Sequence, residues 1–367
     1  MVSLEKVEWK GCEDVKNPFV MECGNYKTRY EKDMAIFSIK RVKIRMLGLA
    51  ILAFLFPLLA DNYVIGLATL CAIASIGAIG LNILTGFTGQ ISIGVGAFLG
   101  VGGYTSAILT STLGLSFWVA LPVAGLITAS VGALFGIPSL RLKGLYLAIA
   151  TLAAQFIILF VISRWTGLTG GTSGMVLQRP SIGSFPLMSA SSYYYLCLII
   201  LLFTIAYALN LFRSRTGRAF LAVRDRDVAA EIMGINLFTY KVLSFAISSF
   251  FVGIAGALLA HYTMIVSPEL YSITVSIQYL AMILVGGLGS ILGSILGAIF
   301  ITLLPVGLGF IMDYLAVYMP DMQNTLAAFQ ELAFGAAIIL FLIFEPGGLA
   351  HMWSNIKNYF KVWPFSY

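Results

Sequence analysis

Charge is what this sequence has least of. Of its 367 residues, 10% are Asp, Glu, Lys or Arg, 59% are hydrophobic, and the mean hydropathy is +0.95. A soluble domain carries roughly 25% charged residues, so a water-soluble globular fold is excluded. Between Asp61 and Arg141 there is no charged residue, and Leu270 to Met312 is equally bare. A spanning helix needs about 20 mostly apolar residues, because backbone groups in hydrocarbon must be satisfied within the helix. The first bare stretch has room for three to four spans. Its apolar runs are continuous, as in ILAFLFPLLA and LCLIILLFTIAYALNLF, whereas a membrane β-barrel alternates apolar and polar residues. The expected fold is an all-α, polytopic integral membrane protein.

Other absences narrow the chemistry. His261 and His351 are the two histidines, so there is no HExxH and no histidine cluster. Cys12, Cys23, Cys71 and Cys197 make no CxxC or other metal spacing, and Cys71 and Cys197 read as small apolar packing residues. No metal site is expected. No GxxxxGK[ST] occurs to cradle ATP and no GxSxG to hold a nucleophile, which argues against an enzyme and against an ATPase site in this chain. A carrier driven by protons or sodium keeps ionisable groups inside the bundle. Here Glu331 is the best such group, with Asp61, Asp313 and Asp321 at the outer boundary. With the middles of almost every span empty of acids, an external energy source is the natural inference. The amino terminus is polar and charged, so no cleavable signal is expected.

Residues 1–45 form a polar segment in which Tyr26, Tyr30, Met34 and Phe37 share one helical face. Either an interfacial helix or a loosely ordered tail fits them. Lys40, Arg41, Lys43 and Arg45 stand just before the first span and place the amino terminus inside. Spans are expected near 46–60, 63–83, 91–112, 116–138, 144–163, 193–212, 242–262, 274–292, 295–317 and 325–345, ten in all, followed by a cytoplasmic tail at 346–367. From Lys40 onward this arrangement leaves fourteen Lys and Arg inside and two, Arg164 and Arg179, outside. That asymmetry has the direction of the positive-inside rule.

The turn Thr85-Gly86-Phe87-Thr88-Gly89-Gln90 should be cytoplasmic but carries no charge. Irregular backbone at membrane depth is tolerated against protein or a water-filled cavity. A helix beginning near Gly89 would then point free amides at that cavity, a candidate carboxylate site. Thr85, Gly86, Gly89, Gln90 and Ser92 are the corresponding pathway residues. The alternative is a tight turn whose glycines permit close packing. A second glycine pattern, Gly289, Gly293 and Gly297 beside Gly286, Ser290 and Ser294, reads as a small-residue face for helix packing. The outer loop Arg164 to Ser192 contains Thr169-Gly170-Gly171-Thr172-Ser173-Gly174. It can close over a pore mouth, meet an external partner, or simply connect.

Against this background the stretch Phe212 to Lys241 stands out, with Arg213, Arg215, Arg218, Arg224 and Arg226 among Asp225, Asp227 and Glu231. Membrane orientation accounts for the arginines. It does not account for Ala229-Ala230-Glu231-Ile232-Met233-Gly234, where Asp227 can cap a short helix and Gly234 can end it. Such a helix suits docking into a groove of another protein.

The run GRAFLAVRDRDVAAEIMGINLFTYKVLSFAISSFFVGIAGALLAHY resembles the coupling region of permeases of ATP-driven importers. Together with YKTRYEKDMAIF, NILTGFTGQISIGVGAFLGVGGY, TGGTSGM, SPELYSITVSIQYLAMILVGGLGSILGSILGA and FEPGGL, it resembles the larger, M-type subunit of the branched-chain amino-acid permease family. The resemblance implies an importer of two unlike permeases, two ATPases that hold ATP and Mg, and a soluble substrate-binding protein outside the membrane. This chain would hold no cofactor, and its partners would be those subunits and lipid, not nucleic acid. It would sit in the cell inner membrane and supply half of a pathway for leucine, isoleucine or valine. Urea, a short amide or another amino acid is the alternative cargo. A stand-alone channel or secondary carrier is the alternative class. By this resemblance Ala229, Ala230, Glu231, Met233 and Gly234 dock on an ATPase, while Arg218, Arg224, Asp225, Arg226 and Asp227 orient the contact.

Overall fold

A computed structural model describes residues 40–362 apart from 141, 143, 178, 183–184, 187–188, 319–322 and 346. The Tyr26–Phe37 face, Arg141, Lys143 and Asp321 lie outside the described residues, as do the side chains of Asp313 and Glu331. The chain divides into two compact units, Leu52–Met352 and, separately, Met1–Ile51 with Trp353–Tyr367.

The described chain is nearly all helix. In order it forms α1 (Lys40–Leu59), α2 (Asn62–Thr88), α3 (Val95–Ala107), α4 (Phe117–Gly136), α5 (Leu145–Arg164), α6 (Ala190–Arg213), α7 (Arg215–Asp225), α8 (Asp227–Ile232), α9 (Leu237–Thr263), α10 (Ile273–Gly286), α11 (Ile291–Tyr318), α12 (Gln323–Phe344) and α13 (Gly348–Val362). Strands are limited to two-residue ladders: β1 (Met175–Val176) with β4 (Ile265–Val266), and β2 (Ser181–Ile182) with β3 (Phe185–Pro186). Among the described residues, seven helical stretches are long and apolar enough to cross a membrane. The protein is therefore an all-α, multi-pass membrane protein. The remaining expected spans fall on the shorter apolar stretches Ala50–Leu59 and Leu332–Phe341 and on α3, whose 13 residues amount to about 20 Å.

Helix α9 is the axis of the bundle, packed against α4, α3 and α2. It can sit there because small residues line it. A β-carbon placed on Gly253 would fall 2.6 Å from Thr128 Cβ, and one on Gly80 of α2 would fall 3.0 Å from the Ser248 carbonyl. Lipid gives helices no hydrophobic reason to associate, so close backbone approach and its dispersion contacts hold them. The small-residue face expected at Gly286–Gly297 is a hairpin, not one helix. Gly286 ends α10, Gly287 and Gly289 turn with φ of 114° and 75°, and α11 starts at Ile291. Gly289 and Ser290 therefore sit in the turn, while Gly293 meets Gly286 across it, a β-carbon on Gly293 falling 2.6 Å from the Gly286 carbonyl. Gly297 faces the Met282 carbonyl and Gly286.

The loop between α5 and α6 is tied down rather than loose. Thr169 Oγ1 donates to the Ile162 and Trp165 carbonyls at 2.6 and 2.8 Å, and β1 pairs with the strand that follows α9. Gly174 packs so closely on the Val266 carbonyl that no β-carbon fits.

Candidate coupling and pathway site

Two features define the site: the α7–α8 island and the break between α2 and α3. The break differs from its expected form. Thr85 to Thr88 remain helical, and the next helix begins at Val95, not near Gly89. Gly89, at φ 70°, closes α2, with its N–H and that of Gln90 turned back to the Leu84 carbonyl. Nothing before Gly89 interrupts the helix, because Thr88 Oγ1 bonds the carbonyls one turn back at Ile83 and Leu84. Between Gly89 and Gly94 the backbone is irregular and held from neighbouring helices. Ile93 N donates to Thr151 Oγ1 at 3.0 Å on α5, and Gln90 Nε2 donates to Ser244 Oγ at 2.9 Å on α9.

Of the five expected pathway residues, Thr85, Gly86, Gln90 and Ser92 are buried and Gly89 is exposed. Thr85 Oγ1 donates to the Gln90 carbonyl at 3.2 Å, and Ser92 Oγ accepts from Gly94 N at 3.4 Å. Gln90 Oε1 is buried without a hydrogen-bond partner, a costly state for an amide oxygen away from water. Gly86 touches Asn82 and the Gly289 amide so closely that it has no room for a β-carbon. Asn82 itself donates to the Ser290 carbonyl and Ser294 Oγ at 2.9 and 2.7 Å and accepts from Gly289 N at 3.0 Å. The end of α2 is thereby pinned to the α10–α11 hairpin.

The island is built as two helices. Ser214 caps α7 by accepting from Gly217 N at 3.2 Å, and α7 buries Gly217, Ala219, Phe220 and Val223. Arg226, not Asp227, occupies the N-cap position of α8; Asp227 is its first residue and accepts from Val228 N at 3.0 Å. Gly234, at φ 84°, follows the end of α8, and Ile235 N returns to the Ala230 carbonyl. Only glycine takes that conformation without strain. The outer face of α8 is apolar: Val228, Ile232 and Met233 are 63%, 81% and 82% exposed. Ala229 and Glu231 are exposed beside them, as are Arg218, Asp225 and Arg226. Ala230 is turned inward and buried by this chain itself. Beside this face lies a cavity of about 680 Å³ bordered by Asp227, Val228, Glu231, Phe238 and Lys241.

Two cations tie the island to the bundle, and sequence reasoning missed both roles. Arg224 Nη1 donates to the Gly86 carbonyl at 3.1 Å, placing positive charge on the carbonyl end of α2, where the helix dipole favours it. Its other nitrogens reach Asp225 Oδ1 at 3.2 and 3.3 Å, a water-exposed contact of little energetic weight. Lys241, at the second turn of α9, is buried, with its Nζ 3.6 Å from Asp227 Oδ2. A lone Lys at the head of an apolar span, and a lone Asn82 within one, were the available signals. Neither names its partner.

A second polar cluster lies between α3, α5 and α10. Ser276 Oγ donates to Gln155 Oε1 at 2.5 Å and accepts from Gly96 N at 2.7 Å, while Gln155 Nε2 donates to the Tyr271 carbonyl at 3.3 Å. These bonds clamp the start of α3 to the start of α10, while the Tyr271 hydroxyl beside them is buried without a hydrogen-bond partner. Among the described residues there is no group of His, Cys, Asp and Glu able to hold a metal ion.

Comparison with known proteins identifies the family. The family model of the branched-chain amino acid transport system permease component matches residues 63–342. The chain is 30% identical over 339 residues to the high-affinity branched-chain amino acid transport system permease protein LivM of Escherichia coli K12, covering 86% of this chain and 76% of that one. To the protein of the same name from Salmonella typhimurium LT2 it is 31% identical over 340 residues, with the same coverage. To the probable branched-chain amino acid transport permease protein LivH of Methanocaldococcus jannaschii it is 28% identical over 235 residues, 61% of this chain and 73% of that one. No solved structure matches the chain. The protein belongs to the family of branched-chain amino acid transport permeases.

Proposed function

We propose that this chain is one of two unlike permease subunits of an ATP-driven importer for leucine, isoleucine and valine, working in the cell inner membrane. The names of its relatives support the cargo. Two separate ATPase subunits would supply the energy and hold ATP and Mg, and a soluble binding protein would deliver substrate from outside. The observation that carries the coupling role is the exposed apolar face of α8, which Arg224 and Lys241 link to the heads and tails of buried helices.

In this reading an ATPase grips Val228, Ala229, Glu231, Ile232, Met233 and Gly234, while Arg218, Asp225 and Arg226 set the rim charge. Displacement of α8 would pull Lys241, and so α9, through Asp227. Displacement of the end of α7 would shift the α2 terminus through Arg224. The pathway would run beside the irregular Gly89–Gly94 segment, where the unpaired Gln90 oxygen and Thr85, Gly86 and Ser92 are grouped. Gly286, Gly289, Ser290, Gly293 and Gly297 would hold the adjoining hairpin closed. We read ten spans, counting α1, α3 and α12, with both termini cytoplasmic. The Arg224–Gly86 contact and the approach of Arg224 to Gly289 are consistent with that reading, since all three positions then fall on one side.

Reconstitution tests the function. Liposomes holding both permeases and both ATPases, given ATP and the binding protein, should accumulate radiolabelled leucine. Liposomes holding this chain alone should not. Leucine flux through the lone chain would instead make it a channel or carrier.

A further inference from the structure

The last described helix has a face that the transport reading does not use. Along α13 (Gly348–Val362), at roughly 100° per residue, Leu349, Met352, Trp353, Ile356 and Tyr359 fall within about 120° of arc. Ser354, Lys357 and Asn358 lie outside that arc, and the helix has no acidic residue. Leu349 packs into the bundle core, but Met352, Trp353 and Ile356 are 39%, 57% and 41% exposed. An apolar face left in water by a 15-residue helix has to be covered by something.

Position in the chain says what covers it. Helix α12 carries exposed Leu332, Ile339, Leu340, Ile343 and Phe344, the lipid-facing side of an apolar helix that stops at Phe344. Four residues later α13 begins, and its start is fixed: Gly347 and Gly348 are pressed on the Gly286–Gly287 turn, where a β-carbon on Gly348 would fall 2.6 Å from Gly287 N. The helix therefore emerges within a few residues of the hydrocarbon edge. It is too charged on one side to enter and too apolar on the other to leave. Tryptophan and tyrosine favour this depth, and lysines without compensating acids favour anionic headgroups.

We propose that α13 is an interfacial helix that lies on the membrane surface, its Met352–Trp353–Ile356 face in the acyl boundary and its lysines on anionic lipid. This inference does not depend on the cargo or on the coupling role.

The test uses the full chain in nanodiscs with and without phosphatidylglycerol. Ile356→Cys and Asn358→Cys are each introduced after the native cysteines are replaced by serine, then spin-labelled. Collision with oxygen, which concentrates in lipid, should exceed collision with a water-soluble nickel chelate several-fold at position 356, and the order should reverse at 358. Lys357→Glu with Lys361→Glu should reduce the difference in anionic discs and leave it unchanged in zwitterionic ones. Equal nickel access at both positions would make α13 a solvated tail and overturn the proposal. Shielding of position 356 from both reagents would mean that a protein covers the face, and would overturn it equally.

Discussion

Lys241 shows how a single side chain carries more than its sequence context suggests. A buried ammonium is costly, and Asp227 is what offsets that cost. Removing one partner of such a pair typically costs about 3–5 kcal/mol, because the other is left buried and uncompensated. Asp227→Asn should therefore lower the thermal midpoint of the purified permease, and Asp227→Asn with Lys241→Met should recover most of that loss. If the pair also transmits motion, the double variant should remain poor in leucine uptake while its complex still hydrolyses ATP. Recovery of uptake along with stability would make the pair purely structural. Gly293 presents the opposite situation, a place with no room. Leu at 293 would press on the Gly286 and Gly287 carbonyls, 2.6 and 3.0 Å from its β-carbon. Overpacking costs about 1–3 kcal/mol, so Gly293→Leu should reduce the monodisperse fraction on size exclusion. Normal assembly and transport would show that the hairpin can open.

At the scale of the element, α8 matters because of what it leaves uncovered. Among the described residues, its two chain neighbours aside, nothing lies within 4 Å of a β-carbon built on Gly234. A bulky residue there has space in the isolated subunit, and its positive φ adds a strain of about 1 kcal/mol. Gly234→Trp should insert into the membrane normally but abolish leucine uptake by blocking the partner's approach, while Gly234→Ala separates backbone strain from bulk. Unchanged uptake in the Trp variant would remove α8 from the coupling role. The break after α2 makes a matching prediction. Gln90→Cys should react with a small polar maleimide in at least one nucleotide state of the complete transporter and be protected in another. If it reacts in none, the irregular segment is packing and not pathway. Both elements have a sequence signature, an island of charge and an uncharged Gly- and Thr-rich break. Their contact does not, because Arg224 and Gly86 are far apart in the chain and each has an adequate local explanation.

For the whole molecule, the distribution of charge predicts sidedness. Cysteines placed at Lys357 and Arg226 should be labelled from the cytoplasm, and one at Arg179 from outside, by a reagent that does not cross the membrane. Labelling of Arg226→Cys and Arg179→Cys from the same side would contradict the ten-span reading. The helices that carry that reading are unequal. The long ones were legible because each repeats one composition for 19 to 28 residues. Helix α3 was misjudged at its start. Its expected onset near Gly89 assumed that a helix resumes as soon as a break ends, whereas Thr151 takes the Ile93 amide and Ser244 takes the Gln90 side chain, so the backbone stays non-helical to Gly94.

Membrane residence and the existence of a charged island between spans were determined by the sequence alone, for a physical reason. Both are settled by transfer between water and hydrocarbon, a cost that adds up along the chain and needs no partner to evaluate. Family membership was legible in the same way, through motifs that keep their order over nearly the whole chain. Which helix forms the axis, where α2 is capped, and how the island grips the bundle were decided by tertiary structure. In hydrocarbon, apolar residues do not distinguish one neighbour from another. The choice falls to close approaches such as Gly253 on Thr128 and to hydrogen bonds and ion pairs such as Asn82 with Ser290 and Lys241 with Asp227. Each of these depends on two distant positions meeting.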